Sequence, residues 1–215
     1  MKEAAEIKTS EGNITKLPVK TTKRKNLVYQ LKITLKGIRP PIWRRVIVPS
    51  KITFFQLHII IQIAFGWENC HMFQFCFNDT DVTTINEDDF SFSSARKSKD
   101  VMNTKIDKLL TTERQCIYEY DFGDDWEHSV ILENILEADP QKQYPVCVKG
   151  KRRCPPEDVG GPYGYSEFLE TISDPENPER QEMLEWAVGE DGIFNPEEFN
   201  LEDLNEVLKD FLDYA

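Results

Sequence analysis

The chain has 215 residues, 40% of them hydrophobic and 30% charged, and a formal net charge of −12 at neutral pH. This composition is typical of a soluble globular protein with a hydrophobic core, and it excludes collagen-like, low-complexity and wholly disordered chains. The longest apolar stretch, Ile59 to Trp67, is shorter than the roughly 20 residues of a membrane helix. The lysine-rich start contains no apolar signal region, so we expect no secretory signal.

Charge is distributed unevenly along the sequence. Residues 1–25 carry a net charge of +4, residues 26–165 a net charge of −2, and residues 166–215 a net charge of −14. Because an acidic body repels phosphate backbones, we expect no direct binding of nucleic acid by the body. Residues 1–25 lack apolar periodicity and predict a disordered basic arm, which is either a solvated tail or a contact for an acidic partner.

The five cysteines form no C-x-x-C pair, and their number is odd. Together with the missing signal region, this predicts reduced thiols and a cytoplasmic protein. The five are Cys70, Cys76, Cys116, Cys147 and Cys154.

The first half of the chain predicts two strands and a buried helix. Apolar and polar residues alternate from Leu27 until Gly37 breaks the pattern, and a second strand is predicted from Trp43 to Val48. Thr53 is a suitable N-cap for a helix that continues through Phe65, where Gly66 ends it. Because nearly all positions from Phe54 to Phe65 are apolar, we expect this helix to be buried on most sides.

The second half predicts further strands, followed by acidic helices. Strands are predicted at 71–77, 90–92, 115–121 and 126–136, a short helix at 105–110, and helices at 165–172, 178–188 and 201–212. Strands that precede helices favour an α+β fold. We therefore predict one domain over residues 26–215, with an antiparallel sheet of about five to six strands, one buried helix and an acidic C-terminal helical segment.

The segment 120–128, Tyr-Asp-Phe-Gly-Asp-Asp-Trp-Glu-His, concentrates acids around a predicted hairpin turn. A loop of two or four residues pairs Asp121 with Trp126 and puts His128 on the same face, whereas a loop of three or five residues puts Asp121 on the other face. A carboxylate beside an imidazole can orient it or share a metal ion with it. In the structural alternative, Gly123 and Asp124 only form the turn, Trp126 fills the core and His128 is a hydrogen-bonded strand residue.

The segment 154–161, Cys-Pro-Pro-Glu-Asp-Val-Gly-Gly, places Glu157 and Asp158 on a backbone restricted by proline and glycine. Stiff loops of this kind present ligands or bases, although such acids also cap backbone N–H groups. We expect this loop and the 120–128 turn to converge on one pocket, with His71 near its edge.

The remaining histidines and cysteines suggest weaker sites. His71 has the pattern of a satisfied, partly buried histidine, and His58 lies within the predicted buried helix. Cys147 and Cys154, with both histidines, supply four zinc-type ligands, but their spacing does not enforce a zinc site.

No P-loop, H-E-x-x-H, G-x-S-x-G or zinc-finger pattern is present, and the glycines at 160, 161 and 164 do not follow a strand as in a dinucleotide site.

Trp126 and Trp43 alternate with charged residues in their predicted strands, so we expect both to anchor the core.

Several short motifs of the sequence, taken together, resemble those of one known family. They are Arg39-Pro-Pro-Ile-Trp-Arg-Arg, His71-Met-Phe-Gln-Phe, the Asp-Phe-Gly-Asp phrase starting at Asp121, and Pro-Pro-Glu-Asp within Cys147 to Gly161. These phrases are similar to those of the plasmid pRiA4b ORF-3-like family, some of whose members are labelled as insertion-element passenger proteins. The resemblance covers about residues 27 to 205 and implies a shared fold and a plasmid or mobile-element context, but no established activity.

Three functions follow as hypotheses. The first is a cytoplasmic module that binds a small ligand or a protein partner at an acidic, histidine-containing pocket. The second is a metal-dependent hydrolase, with phosphoesters as one class of substrate, since carboxylate and imidazole ligands suit divalent metals that activate water. The third, from the family context alone, is an accessory protein of a mobile element. The candidate pocket residues are His71, Asp121, Asp124, His128, Glu157 and Asp158, and the candidate metal ligands among them are Asp121, His128, His71 and Glu157.

Overall fold

The computed structural model describes residues 26–85, 96–189 and 192–211. The predicted basic arm at 1–25, the predicted strand at 90–92 and the last residue of the helix predicted at 201–212 lie outside the described residues. Among the residues that are described, no helix is both long and apolar enough to cross a membrane.

The described residues form a mixed α+β fold with a single sheet of eight strands, which confirms the predicted class. The predicted number of five to six strands is too low. The strands are β1 (Leu27–Leu35), β2 (Trp43–Pro49), β3 (Phe73–Cys76), β4 (Thr80–Thr83), β5 (Lys97–Asp100), β6 (Gln115–Tyr120), β7 (Trp126–Glu137) and β8 (Val146–Lys151).

The strand order in the sheet is β5-β4-β3-β6-β7-β1-β2-β8. All pairings are antiparallel except the one between β4 and β5, which is parallel. The three strands that the sequence did not predict lie in the outer part of this order, β5 and β8 at the two edges. Two of them, β4 and β5, have only four residues each, and β5 reads Lys-Ser-Lys-Asp. These two short strands form by pairing with neighbouring strands, and their own sequences contain no alternating hydrophobic pattern that would predict them.

The helix α1 (Phe54–Phe65) begins and ends as predicted. The Thr53 Oγ1 accepts a hydrogen bond from the Gln56 backbone N–H, and the Gln56 side chain accepts one from the Thr53 N–H, which completes a capping box. Gly66 has a φ of 74° and closes the last turn in the left-handed conformation. Nine residues of α1 are buried, so it is the predicted buried helix.

The hydrophobic core joins α1 to the inward-facing residues of the sheet. Strand residues with no exposed surface alternate with half-buried ones, as in β1 and β2. The core includes Leu31, Ile33, Val46, Phe75, Tyr118, Trp126 and Val130 from the strands and Leu57, Ile60 and Ile61 from α1. Trp126 is completely buried, as predicted.

The expectation that Trp43 also anchors the core is wrong. Trp43 is half-buried, on the opposite face of β2 from the inward-facing Val46 and Val48. The charged groups of Lys32 and Arg45 lie 5.5 and 5.2 Å from the centre of its ring. The neighbour Arg44 points inward instead, because its guanidinium finds acceptors there.

Arg44 is a buried cation that ties β2 to other elements. Its Nε donates to the carbonyl of Ala64 at the end of α1, and its two terminal nitrogens donate to the carbonyls of Trp43, Lys151 and Arg152. A further hydrogen bond reaches the Sγ of Cys154 at 3.1 Å. These contacts hold the start of the 154–161 segment against the sheet.

Three helices follow the sheet. They are α3 (Gly161–Ser173), α4 (Arg180–Val188) and α5 (Leu201–Lys209), preceded by the short α2 (Leu110–Glu113) and a 3₁₀ turn at Ile106–Lys108. The helix α3 begins four residues before the predicted start at Tyr165, because Pro162 occupies its first turn. The loop that begins at Cys154 therefore ends at Gly160.

Candidate functional site

The turn between β6 and β7 contains five residues, Asp121 to Asp125, because Tyr120 pairs with Trp126. Of the loop lengths considered, the loop of five residues is present, and Asp121 does not pair with Trp126. Asp121 has a φ of 56°, its carbonyl accepts from the N–H of Asp125 at 2.7 Å, and its Oδ1 accepts from the N–H of Gly123 at 2.9 Å. One carboxylate oxygen of Asp121 thus shapes the turn, and the other remains available to neighbours.

His128 faces the core instead of the turn. It pairs with Tyr118 across the strands, and its ring packs edge-on against Phe65 and Trp67 with centroids 4.7 and 5.2 Å apart. It has no exposed surface, and neither ring nitrogen has a hydrogen-bond partner among the described residues. Burial lowers the pKa of His128 to about 3, so the ring is neutral. The structure does not bring His128 to the other candidate residues.

The 154–161 segment contacts the 121–125 turn directly. The backbone N–H of Gly160 donates to the Oδ2 of Asp124 at 2.9 Å. A Cβ placed on Gly161, whose φ is 68°, would lie 2.2 Å from the Asp124 carbonyl oxygen. The close approach of the two segments therefore requires glycine at this position. The two segments therefore lie in direct contact, which the expected common pocket requires.

His71 lies between one carboxylate from each segment. Its Nδ1 is 3.7 Å from the Oδ2 of Asp121, and its Nε2 is 3.0 Å from the Oδ1 of Asp158. The Nε2 atom is buried and makes no hydrogen bond to the described residues, although the side chain as a whole is half-exposed. One ligand atom from each of the three residues lies within 4.8 Å of the others. We call His71, Asp121 and Asp158 the His71 cluster.

Glu157 lies next to this cluster but bonds elsewhere. Its Oε1 accepts a hydrogen bond from the Tyr120 hydroxyl, and its Oε2 accepts one from the backbone N–H of Glu68 at 2.6 Å. The Tyr120 hydroxyl also accepts from the N–H of Cys70 at 3.0 Å. Burial and the Glu157 carboxylate raise the pKa of Tyr120. Glu157 thus fixes the loop beside His71, whose ring meets the Tyr120 ring edge-on at 5.7 Å.

The four-ligand zinc arrangement of cysteines and histidines is not assembled. His58 is buried, with its Nδ1 2.8 Å from the Tyr118 hydroxyl and its Nε2 2.6 Å from the Asn69 Oδ1. Burial lowers the pKa of His58 to about 4. Cys154 contacts Arg44, and the Sγ of Cys147 lies 3.5 Å from the Lys149 carbonyl oxygen. Among the described residues, only the His71 cluster has three such ligands within reach of one another.

A groove of about 940 Å³ between α3 and α4 adjoins the cluster, and Asp158 belongs to both. Sequence reasoning did not identify this groove, although Glu167 and Glu170 follow each other at helical spacing, as do Glu179 and Glu182. Its apolar floor comes from Val159, Phe168, Met183 and Trp186, and its acids are Asp158, Glu167, Glu170, Asp174, Glu179 and Glu182. We call this feature the acidic groove.

Comparison with known proteins places the chain in a family. The sequence matches the plasmid pRiA4b ORF-3-like protein family over residues 27–203. The chain belongs to this family. It is 36% identical over 185 residues to the uncharacterized protein y4hQ of Sinorhizobium fredii, an alignment that covers 85% of this chain and 91% of the relative.

A solved structure has the same fold. The crystal structure of MM3350 from Methanosarcina mazei Go1, titled a protein of unknown function, is similar with a TM-score of 0.73 and 35% sequence identity. The similarity covers 83% of this chain and 98% of that one. The family membership and the shared fold are thus established, and the chemistry must be argued from the site itself.

Proposed function

We propose that this member of the family is a binding module whose site is centred on a divalent cation held by the His71 cluster. The observation that carries this proposal is that His71, Asp121 and Asp158 each bring one ligand atom to within 4.8 Å of the other two. Two carboxylates and one imidazole are a ligand set that suits Mn²⁺, Zn²⁺ and Fe²⁺.

The separations of the ligand atoms fit a single ion. With metal–ligand bonds of about 2.2 Å, two ligands of one ion lie at most about 4.4 Å apart. The ligand atoms of the His71 cluster lie within 4.8 Å of one another, so small side-chain movements suffice to close the site. His71 supplies one nitrogen to the ion, and Asp121 is held in place by its second oxygen, which bonds the Gly123 N–H.

A proton on His71 is the competing counter-charge for the two carboxylates. An imidazolium would pair with both, and a cation would have to displace that proton. This alternative predicts that Asp121 and Asp158 stabilise the fold but do not bind metal. The two explanations are separated by measuring metal affinity directly.

The test is isothermal titration of the full chain with Mn²⁺ and with Zn²⁺. Asp158→Asn is expected to weaken binding about tenfold or more, because an amide oxygen is a poorer ligand than a carboxylate. Asp121→Asn is the second variant, since it keeps an acceptor for the Gly123 N–H while replacing the oxygen that faces His71.

Asp125→Asn is the matched control. It removes a carboxylate from the same turn without touching the cluster, and its φ of 57° suits asparagine. Equal affinity of the wild-type chain and the Asp158→Asn variant for both metals would refute the cation site.

A metal-dependent hydrolase is the second candidate. It is favoured by one observation: the cluster offers three protein ligands and opens through Asp158 onto the acidic groove. Zinc sites with three protein ligands keep a position for water, which the metal activates. Turnover of phosphomonoester or phosphodiester probes by the metal-loaded chain, abolished in Asp158→Asn, would establish it. Metal binding without turnover would leave the binding module as the function.

The proposed setting is the cytoplasm, in an accessory role linked to a plasmid or mobile element. The support is the free state of all five cysteines together with the family membership. The net charge of −12 argues against direct contact with nucleic acid, so the proposed partner is a small ligand or a protein.

A further inference from the structure

We propose that the acidic groove binds the basic segment 12–25 of a second copy of this chain. The inference extends the proposed binding role by naming a protein partner for the groove. It does not require the cation at the His71 cluster, and its test leaves that cluster intact.

The acidic groove has unbalanced charge. Six carboxylates line it, and no lysine or arginine is among the described lining residues. Apart from Asp158, which faces His71, none of these acids forms an ion pair within the part of the chain that the structure describes. Such a concentration of like charge is relieved when a cationic partner binds.

The floor of the groove includes an exposed tryptophan from α4. The apolar residues Met183, Leu184 and Val188 of this helix are partly buried against the core, whereas Trp186 lines the groove beside Met183. Half of the Trp186 surface is exposed, and its ring meets Phe168 edge-on at 6.3 Å. An exposed tryptophan amid acids is suited to a lysine or arginine stem.

The segment 12–25 has the complementary chemistry. It reads Gly-Asn-Ile-Thr-Lys-Leu-Pro-Val-Lys-Thr-Thr-Lys-Arg-Lys, with five basic residues and no acidic one. Its apolar residues Ile14, Leu17 and Val19 lie among the first two lysines and can contact the groove floor while the cations meet its acids. The segment therefore matches both the charge and the apolar character of the groove.

The geometry favours a second copy over the same chain. Asn26, to which the segment is attached, lies at the Glu137 end of β7, where its carbonyl accepts from the N–H of Ala138. The Asp158 edge of the groove lies at the Trp126 end, about 35 Å away at about 3.3 Å per strand residue. Residues 23–25 lie within three residues of Asn26 and cannot reach the Asp158 edge of the groove in their own chain, whereas the groove of another copy imposes no such limit.

The test is sedimentation velocity of the full chain over a range of concentrations at low and high salt. We expect self-association at low salt that weakens as salt screens the charges. The groove variant is Trp186→Ala with Glu182→Gln, and the arm variant replaces Lys16, Lys20 and Lys23 with glutamine. Each is expected to weaken self-association about tenfold or more. Glu176→Gln is the control, since Glu176 is an exposed acid that does not line the groove.

A labelled peptide of residues 12–25 identifies the occupant of the groove. It is expected to bind the arm variant and to bind the groove variant at least about tenfold more weakly. A chain that stays monomeric at all concentrations and salts overturns the proposal, whether or not the peptide binds. Self-association that is unchanged in the groove variant overturns it as well.

Discussion

The completely buried His128 makes the stability of the fold depend on pH. Its ring lies among Phe65, Trp67 and Tyr118, and burial lowers its pKa from 6.5 to about 3. The unfolded chain therefore binds a proton that the folded chain excludes. The free energy of unfolding is therefore highest, as far as this ring is concerned, above about pH 6.5, and it decreases as the pH falls toward 3.

The size of the effect follows from the two pKa values. Between about pH 8 and about pH 5, protonation of the unfolded histidine lowers the free energy of unfolding by about 2 kcal/mol. His58, whose pKa burial lowers to about 4, adds a similar amount. We therefore expect a loss of about 4 kcal/mol from these two rings in the wild-type chain.

The variant His128→Leu separates the two contributions. It removes a titrating group and two nitrogens that lack partners among the described residues, at similar side-chain volume. Its free energy of unfolding should fall about 2 kcal/mol less than that of the wild-type chain between about pH 8 and about pH 5. Comparing the same variant at two pH values cancels the packing change. The assay is urea unfolding followed by tryptophan fluorescence at both pH values.

The refuting result is an equal loss in both chains. Equal losses would mean that His128 titrates alike in the folded and unfolded chain, and so is not shielded from water. The acidic C-terminal helices also respond to pH, but their response is common to both chains.

Three further predictions concern stability. In urea unfolding, Trp126→Ala should lower the free energy of unfolding by about 3–5 kcal/mol and Trp43→Ala by only about 1 kcal/mol. Equal losses in the two variants would contradict the different burial of the two rings. Arg44→Lys should lower the free energy of unfolding by about 2–4 kcal/mol, because one ammonium cannot replace five donated hydrogen bonds. The control Arg114→Lys, at an exposed arginine, should lower it by less than about 1 kcal/mol. Deleting residues 1–25 should leave the melting temperature within about 2 °C in about 0.5 M salt, where the proposed arm contact is screened; a large fall would show that the domain needs the arm.

Local sequence determined the elements whose signals are complete within a few residues. The helix α1 carries its own cap at Thr53 and its own stop at Gly66, so its bounds followed from hydrogen-bonding chemistry alone. The strands β1 and β7 alternate strongly enough to show which residues face inward. The concentration of acids at 121–125 and 157–158 was equally visible in the sequence.

Tertiary structure decided the edges of the sheet and the membership of the site. The strands β4, β5 and β8 exist through pairing with neighbours distant in sequence, which leaves little local pattern. The turn has five residues, one more than a four-residue loop. Because strand side chains alternate between faces, this length puts Asp121 beside His71 instead of beside His128. The same alternation buried His128, and only the packing of Gly160 and Gly161 against Asp124 brought Asp158 to His71.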